Sequence, residues 1–544
     1  MQPKSLSKIL RRVAFLLFST LAIALAPTPT PTSSAADIHT KTMRMSLSDD
    51  ATTLDPHVAD LIVNNRLLNN IYEGLVMRDK DFKIAPALAV SWSQLDAKTW
   101  RFKLRQNVKF HDGSPFTADD VVFSLARVLH PLSAVRSTVQ GVAAARRVDD
   151  LTVDLMMAEP NPVLLLHLAN FRIMSKSWST QNASMTPQNY KDKDETFASR
   201  NTNGTGPFKL VSRQPDVKTV LIENKDWWNQ AASDRGNLAQ VEWTPIKSTA
   251  TRMAALLSGS VDLVLDTAVQ DRERMKNTAG FKLQLGSEPR VYFLGMDLQR
   301  DELLYSGMKG KNPFKDIRVR RAMALAIDVD LLLKKVNRGY GRSTALVVGK
   351  EVQGYPADLD RRTPVDLARA KSLMMEAGYA NGFDVGFDCL NQVPFGEFCQ
   401  GILPMLAQIN IRAALNLVSF TNIIPKLEKF DTSFYIMGYG APTMDAFNPI
   451  QAMLQSVNDK RTGATTGNFG RYANPQLDAL LDKIKREPDL KLRDVFIRDA
   501  LMIARDDLPV IPLIQPVHAW AMRSNLDAPF APNSLPYAYR FVMK

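Results

Sequence analysis

Six histidines, two cysteines and many carboxylates are the residues here that could do metal, nucleophilic or acid–base chemistry. The histidines are His39, His57, His111, His130, His167 and His518, and no two stand at i, i+3 or i+4, so a helical metal-binding pair is absent. No HExxH, GxSxG or Walker loop occurs. Residues 203–210, NGTGPFKL, are glycine-rich but lack the Gly-Lys-Ser/Thr ending and the apolar helix of a phosphate loop. The carboxylates fall into no catalytic pairing, and Cys399 has no histidine beside it in sequence. These residues point to no enzyme, metal or cofactor.

Elements that could position a site are easier to read. In residues 99–127, Trp100, Phe102 and Leu104 alternate with Arg101, Lys103 and Arg105, the period of a half-buried strand. A turn at 111–115 follows. Thr117 is placed as a helix N-cap, with Asp119 and Asp120 in the first turn, where the helix dipole favours anions. Val121, Val122, Leu125 and Val128 then supply an apolar helical face. Further on, 62–72 reads as a helix ended by Gly74, 383–389 and 411–418 as strands, and 397–410 as a helix interrupted by Pro404. Arg318, Arg320 and Arg321 read as a solvated helix face. Alternating helix and strand in the second half suits an α/β architecture.

The length of 544 residues exceeds one ordinary domain. A 45% hydrophobic and 23% charged composition is that of a soluble globular protein with a sizeable core. Lys4, Lys8, Arg11 and Arg12 precede a short apolar run at 13–26 and the small residues Ser34, Ala35 and Ala36. That is the pattern of a signal peptide spanning 1–36, with Asp37 as the new N-terminus. With no cysteine before Cys389, a lipid-modified N-terminal cysteine is excluded, which favours a free periplasmic protein. Removing those four basic residues leaves 64 Lys+Arg against 56 Asp+Glu, a net charge of +8. Without a basic helix or basic–aromatic interleaving outside the strand at 100–105, that balance is not read as nucleic-acid binding. In an oxidising compartment Cys389 and Cys399 most simply pair; two buried thiols or, less readily, a zinc site are the alternatives.

The stretch at 99–127 resembles the signature segment of the family 5 solute-binding proteins of ABC importers, the group of dipeptide, oligopeptide and nickel receptors. LDPH at 54–57, EGL at 73–75, PALAVSW at 86–92, GTGPF at 204–208 and NPQLDALL at 474–481 are similar to further landmarks in the same order. The resemblance implies an α/β, two-lobed periplasmic binding protein of type II-like, cluster C architecture, with an extra subdomain in the first lobe and a hinge between lobes. It implies lobe I at 37–298 plus 512–544 and lobe II at 299–511. The implied partners are a peptide or peptide-like solute and a cognate inner-membrane permease, the receptor being a monomer. Mapped onto the family pattern, ligand contacts fall on Asp60, Leu61 and Ile62, on Phe208, and on Gly438, Tyr439, Gly440 and Ala441. Asp60 reads equally well as a helix N-cap. The acid that pairs with a peptide's ammonium falls, without gaps, on Pro442; Asp445 is the nearest carboxylate. The departure at Pro442 keeps a non-peptide solute open: an opine, glutathione, an oligosaccharide or a metal chelate. A secreted hydrolase is the remote alternative.

Overall fold

The computed structural model describes residues 41–189, 195–392, 394–457 and 467–544; the segment 1–36 read as a signal peptide lies outside them. A twelve-stranded sheet is the backbone of the molecule. On one side, the strand Lys41–Leu47 pairs in parallel with Leu238–Pro245 and with Leu263–Val264. On the other, Phe383–Leu390 pairs in parallel with Ile411–Val418. The strand Val510–Arg523 joins the two sides: Val510–Ile514 runs antiparallel to Val291–Met296, and its later residues pair with Phe281–Ser287.

The apolar residues divide accordingly. One core holds Met43, Met45, Phe208, Trp243 and Trp520. A second runs from Tyr292 to Ile514. A third lies under a separate antiparallel four-stranded sheet built from Ala89–Asp96, Thr99–Leu104, Thr152–Met157 and Val142–Asp149. The first core takes its residues up to Leu265 and again from Trp520, and the second those from Tyr292 to Ile514.

The expected strand, turn and helix are Thr99–Leu104 and Ala118–Leu129, with the Asp120 carboxylate accepting the Thr117 backbone N–H at 2.8 Å to close a capping box. Arg127 on that helix reaches back to the LDPH segment. Its guanidinium donates to both Asp55 oxygens at 2.9 and 2.7 Å and lies 3.1 Å from His57 Nδ1. Burial and the neighbouring Arg127 push His57 down to about 4, so it is neutral. These motif residues fasten the third core to the first.

Three local expectations change. The helix over 62–72 stops at Leu68, because Gly206 and Phe208 donate backbone N–H groups to the carbonyls of Ile71 and Asn70. The helix Phe395–Ala407 continues through Pro404 without interruption. Arg320 is buried rather than solvated, donating to the carbonyls of Phe314, Lys315 and Asp507 at 2.6–3.1 Å. Cys389 and Cys399 form a disulfide, with Cα atoms 6.5 Å apart.

Candidate functional site

Asp60 and Leu61 precede the helix Ile62–Leu68, Leu61 in extended conformation. Leu61 is the N-cap; Asp60 is exposed, and its carboxylate accepts the Asn65 side-chain amide at 2.7 Å instead of capping. Ile62 is 42% exposed, a large apolar group left in contact with solvent. Behind this wall, Gly204 and Gly206 press so close to Ile71 that a Cβ on either would lie 2.0 or 2.6 Å from its carbonyl oxygen. The glycine-rich stretch is thus a packing device that lays residues 204–208 against 70–72. Phe208 is buried in the first core.

The strand Phe434–Tyr439 pairs along its whole length with Val291–Met296, Gly438 opposite Tyr292 and Tyr439 opposite Val291. Gly438 has no room for a side chain, since a Cβ would meet the Tyr292 ring at 2.8 Å. The other edge of this strand is paired at Tyr435, with Asp388, and 436–438 has no second ladder partner among the described strands. Gly440 is half-buried and Ala441 buried; the Ala441 carbonyl accepts the Met444 N–H, closing a turn that leaves Pro442 exposed. Asp445 is 1% exposed, and both its oxygens accept from Arg493 at 2.7 Å. The charge of Asp445 is matched inside the protein.

A chain of charged groups links these segments. Arg66, on the helix after Ile62, pairs with Asp266 at 2.8 Å. His518 stands 3.8 Å from Asp266 and 3.1 Å from Glu288, and Glu288 pairs with Arg290. Arg290 ends 3.5 Å from the Gly438 carbonyl. Burial alone would raise Glu288, yet His518 and Arg290 hold it well below the usual carboxylate range. Burial would lower His518, yet Glu288 and Asp266 hold it above its ordinary value. Glu288 and Arg290 lie in the interval between Leu265 of the first core and Tyr292 of the second, and His518 in that between Ile514 and Trp520.

The walls meet across a closed cleft. The Asn170 amide donates to the Pro442 carbonyl at 3.1 Å, Arg78 to the Thr443 carbonyl at 3.0 Å, and Lys485 pairs with Glu159. Sequence reading missed Arg78, Asn170, Arg172, Glu73 and Arg493. Only Glu73 carried a signal, the EGL landmark. It accepts from the indoles of Trp227 and Trp228 and from Thr205 at 2.8–3.1 Å, and burial pushes it up to about 7. Among the described residues, no group of three or more His, Cys, Asp or Glu is placed to hold a metal, and no helix is long and apolar enough to cross a membrane.

Two α/β bodies joined by paired crossings around a cleft define a bilobal solute-binding protein. Residues 83–461 match the model of the bacterial extracellular solute-binding proteins, family 5. The chain belongs to that family, the receptors of ABC importers. It is 25% identical over 488 residues to heme-binding protein A of Haemophilus influenzae, covering 84% of each chain. It is 24% identical over 488 residues to the glutathione-binding protein GsiB of Salmonella paratyphi A, covering 87% of this chain and 89% of the relative. The fold is also that of the periplasmic binding protein DppA of Helicobacter pylori, solved in complex with the peptide STSA. That match has a TM-score of 0.75 and 22% identity, covering 92% of this chain and 98% of DppA.

Proposed function

We propose that this protein captures a peptide or peptide-like solute between its two lobes in the periplasm and delivers it to a membrane ABC permease. One observation carries the reading: the strand at 436–438 has no second ladder partner among the described strands, and the turn that follows it accepts from Asn170 and Arg78 of the opposite wall at Pro442 and Thr443. An extended solute adds there as a strand, its main chain making the hydrogen bonds, as Asp60, Leu61 and Ile62 do from the opposite wall. Tyr439 and the exposed Ile62 supply apolar surface; Phe208, deep in the core, holds the wall rather than the solute.

Lobe I comprises 37–298 plus 512–544, and lobe II 299–511; the division of the apolar residues into one core up to Leu265 and from Trp520, and another from Tyr292 to Ile514, supports this two-lobed division. Asp37 begins the mature chain, which is exported without a lipid anchor and works as a monomer without catalysis. The test is calorimetric titration of the exported protein with N-acetylated tri- to pentapeptides and with the same peptides N-methylated on their central amides. Binding of the first set and its loss on methylation is the expected result; equal binding of both overturns strand addition.

A second reading has its own observation. Pro442 stands where the family's amine-pairing acid falls, and the substitute carboxylate, Asp445, is taken by Arg493. This favours a solute whose recognition does not begin with a free ammonium, whether a blocked peptide or a non-peptide.

A further inference from the structure

The antiparallel ladder along Val510–Arg523 is broken between the first two cores. On the first-core side it runs to Ser287 opposite Val517; on the second-core side it resumes at Tyr292 opposite Ile514. Residues 288–290 have no ladder partner among the described strands. The Glu288 carboxylate spans that break. From the first-core side the Ser534 hydroxyl donates to it at 3.0 Å, and His518 Nε2 stands 3.1 Å away. From the far end of the break Arg290 pairs with it, and Arg290 also reaches the Gly438 carbonyl. Of these holds, only the one from His518 is switched by a proton in the ordinary range of pH.

His518 lies opposite Gly286 in the ladder, just short of the break. Charged and titratable groups surround it from several elements. Asp266, in the turn after Leu263–Val264, stands 3.8 Å from its Nδ1. Arg66, on the helix Ile62–Leu68, pairs with Asp266 and donates to the Ser534 carbonyl at 3.3 Å. Glu288 faces it from the break, with Arg290 behind. Arg272, on the helix Val269–Asn277, donates to the adjoining Val517 carbonyl at 2.8 Å. Tyr292, beyond the break, is a phenol that burial keeps neutral. Arg66 and Arg290 already match the two carboxylates, so the proton on the imidazole is the variable charge of the cluster. Asp266 and Ser534 both hold positive φ, 52° and 57°. That conformation is costly for residues with side chains, and two of them meeting at one ionic cluster mark a geometry that the surrounding structure enforces.

We infer that His518 is a proton-operated clasp between the two cores: with its proton it ties the Glu288 carboxylate to the first-core side and steadies the closed form, and without it Glu288 is left to Arg290 and the closed form is weakened. The inference rests on the proposed capture of a solute, whose holding and release then depend on pH through this joint. Burial disfavours the charged imidazole, yet Glu288 and Asp266 hold it above its ordinary value of 6.5. The clasp is therefore fully fastened below about pH 6.5 and is lost as pH rises through the folded value. A half-buried ion pair of this kind corresponds to about twofold to fivefold in the ratio of closed to open forms.

The test uses the full exported chain, spin-labelled through Ser93→Cys on the four-stranded sheet and Met375→Cys on the second-core side, both exposed positions. The distance between the labels is measured by double electron–electron resonance at about pH 6 and about pH 8.5, on either side of the histidine range and at equal ionic strength. The same is done with His518→Gln and with Glu288→Gln. The expected result is a closed, short-distance population favoured about twofold to fivefold more at the lower pH, with no pH response in either variant. Identical distributions at both pH values, or a response that survives in His518→Gln, overturn the clasp. If His518→Gln fails to fold, Glu288→Gln decides in its place. Calorimetric titration with N-acetyl-trialanine at both pH values separates the clasp from the proposed function. Distances that follow pH without peptide binding keep the clasp and remove the peptide reading. Peptide binding with distances and affinity indifferent to pH does the reverse.

Discussion

At the scale of residues, the ion pairs decide what a carboxylate near the cleft can do. Asp445 was legible as the acid nearest Pro442, but its partner Arg493 lies far along the chain on the helix Leu490–Asp507, and no local pattern connects them. Removing one member of such a buried pair leaves the other charge unmatched. Asp445→Asn is therefore expected to destabilise the fold by about 3–5 kcal/mol, read by denaturant unfolding. A variant as stable as the wild type, with lost solute binding, would return Asp445 to the role of anchor. Arg78 and Arg172 were illegible for the same reason: an isolated arginine carries no sign of whether tertiary packing gives it a partner.

The ionic chain from Arg66 to Arg290 has a definite pH signature. His518 is held above its ordinary value of 6.5, so its contribution to stability is fully present below about pH 6.5 and is lost as pH rises through its folded value. Glu288 is held below its ordinary value, so its contribution is present above about pH 4.5 and is lost as pH falls through its folded value. Between pH 6 and 9 the histidine governs. Unfolding free energy should decline over that range in the wild type, and His518→Gln should flatten the decline; identical profiles would remove His518 from the hinge network.

At the scale of elements, period and punctuation were readable where local physics decides. The alternation of Trp100, Phe102 and Leu104 and the Thr117–Asp120 capping box gave strand and helix because nothing distant opposes them. The helix after Asp60 was read too long because its end is set by residues 206 and 208 binding the carbonyls at 70 and 71. Pro404 was read as a break, yet a helix buried against the second core tolerates the loss of one bond. The disulfide joins the strand Phe383–Leu390 to the helix Phe395–Ala407. Its loop of about ten residues corresponds to roughly 2–3 kcal/mol in the loop-entropy model. Reduction should lower stability by that order and release two labelled thiols, whereas labelling of both without reductant would contradict the pairing.

At the scale of the molecule, the long strand Val510–Arg523 makes the two halves one sheet, while their apolar residues form separate cores. Family landmarks spread along the chain made this architecture legible. The contents of the cleft were not, because they depend on which charges are already satisfied within the protein. A solute that touches both walls stabilises the closed form by the contacts it adds on each side. The direct measurement compares one short peptide with its N-acetylated form by calorimetry on the exported protein. The expected result is that the acetylated peptide binds at least as tightly as the free one, because no unpaired acid among the described residues at 438–445 awaits an ammonium. Binding of the free peptide alone, with acetylation abolishing it, would contradict capture through the main chain.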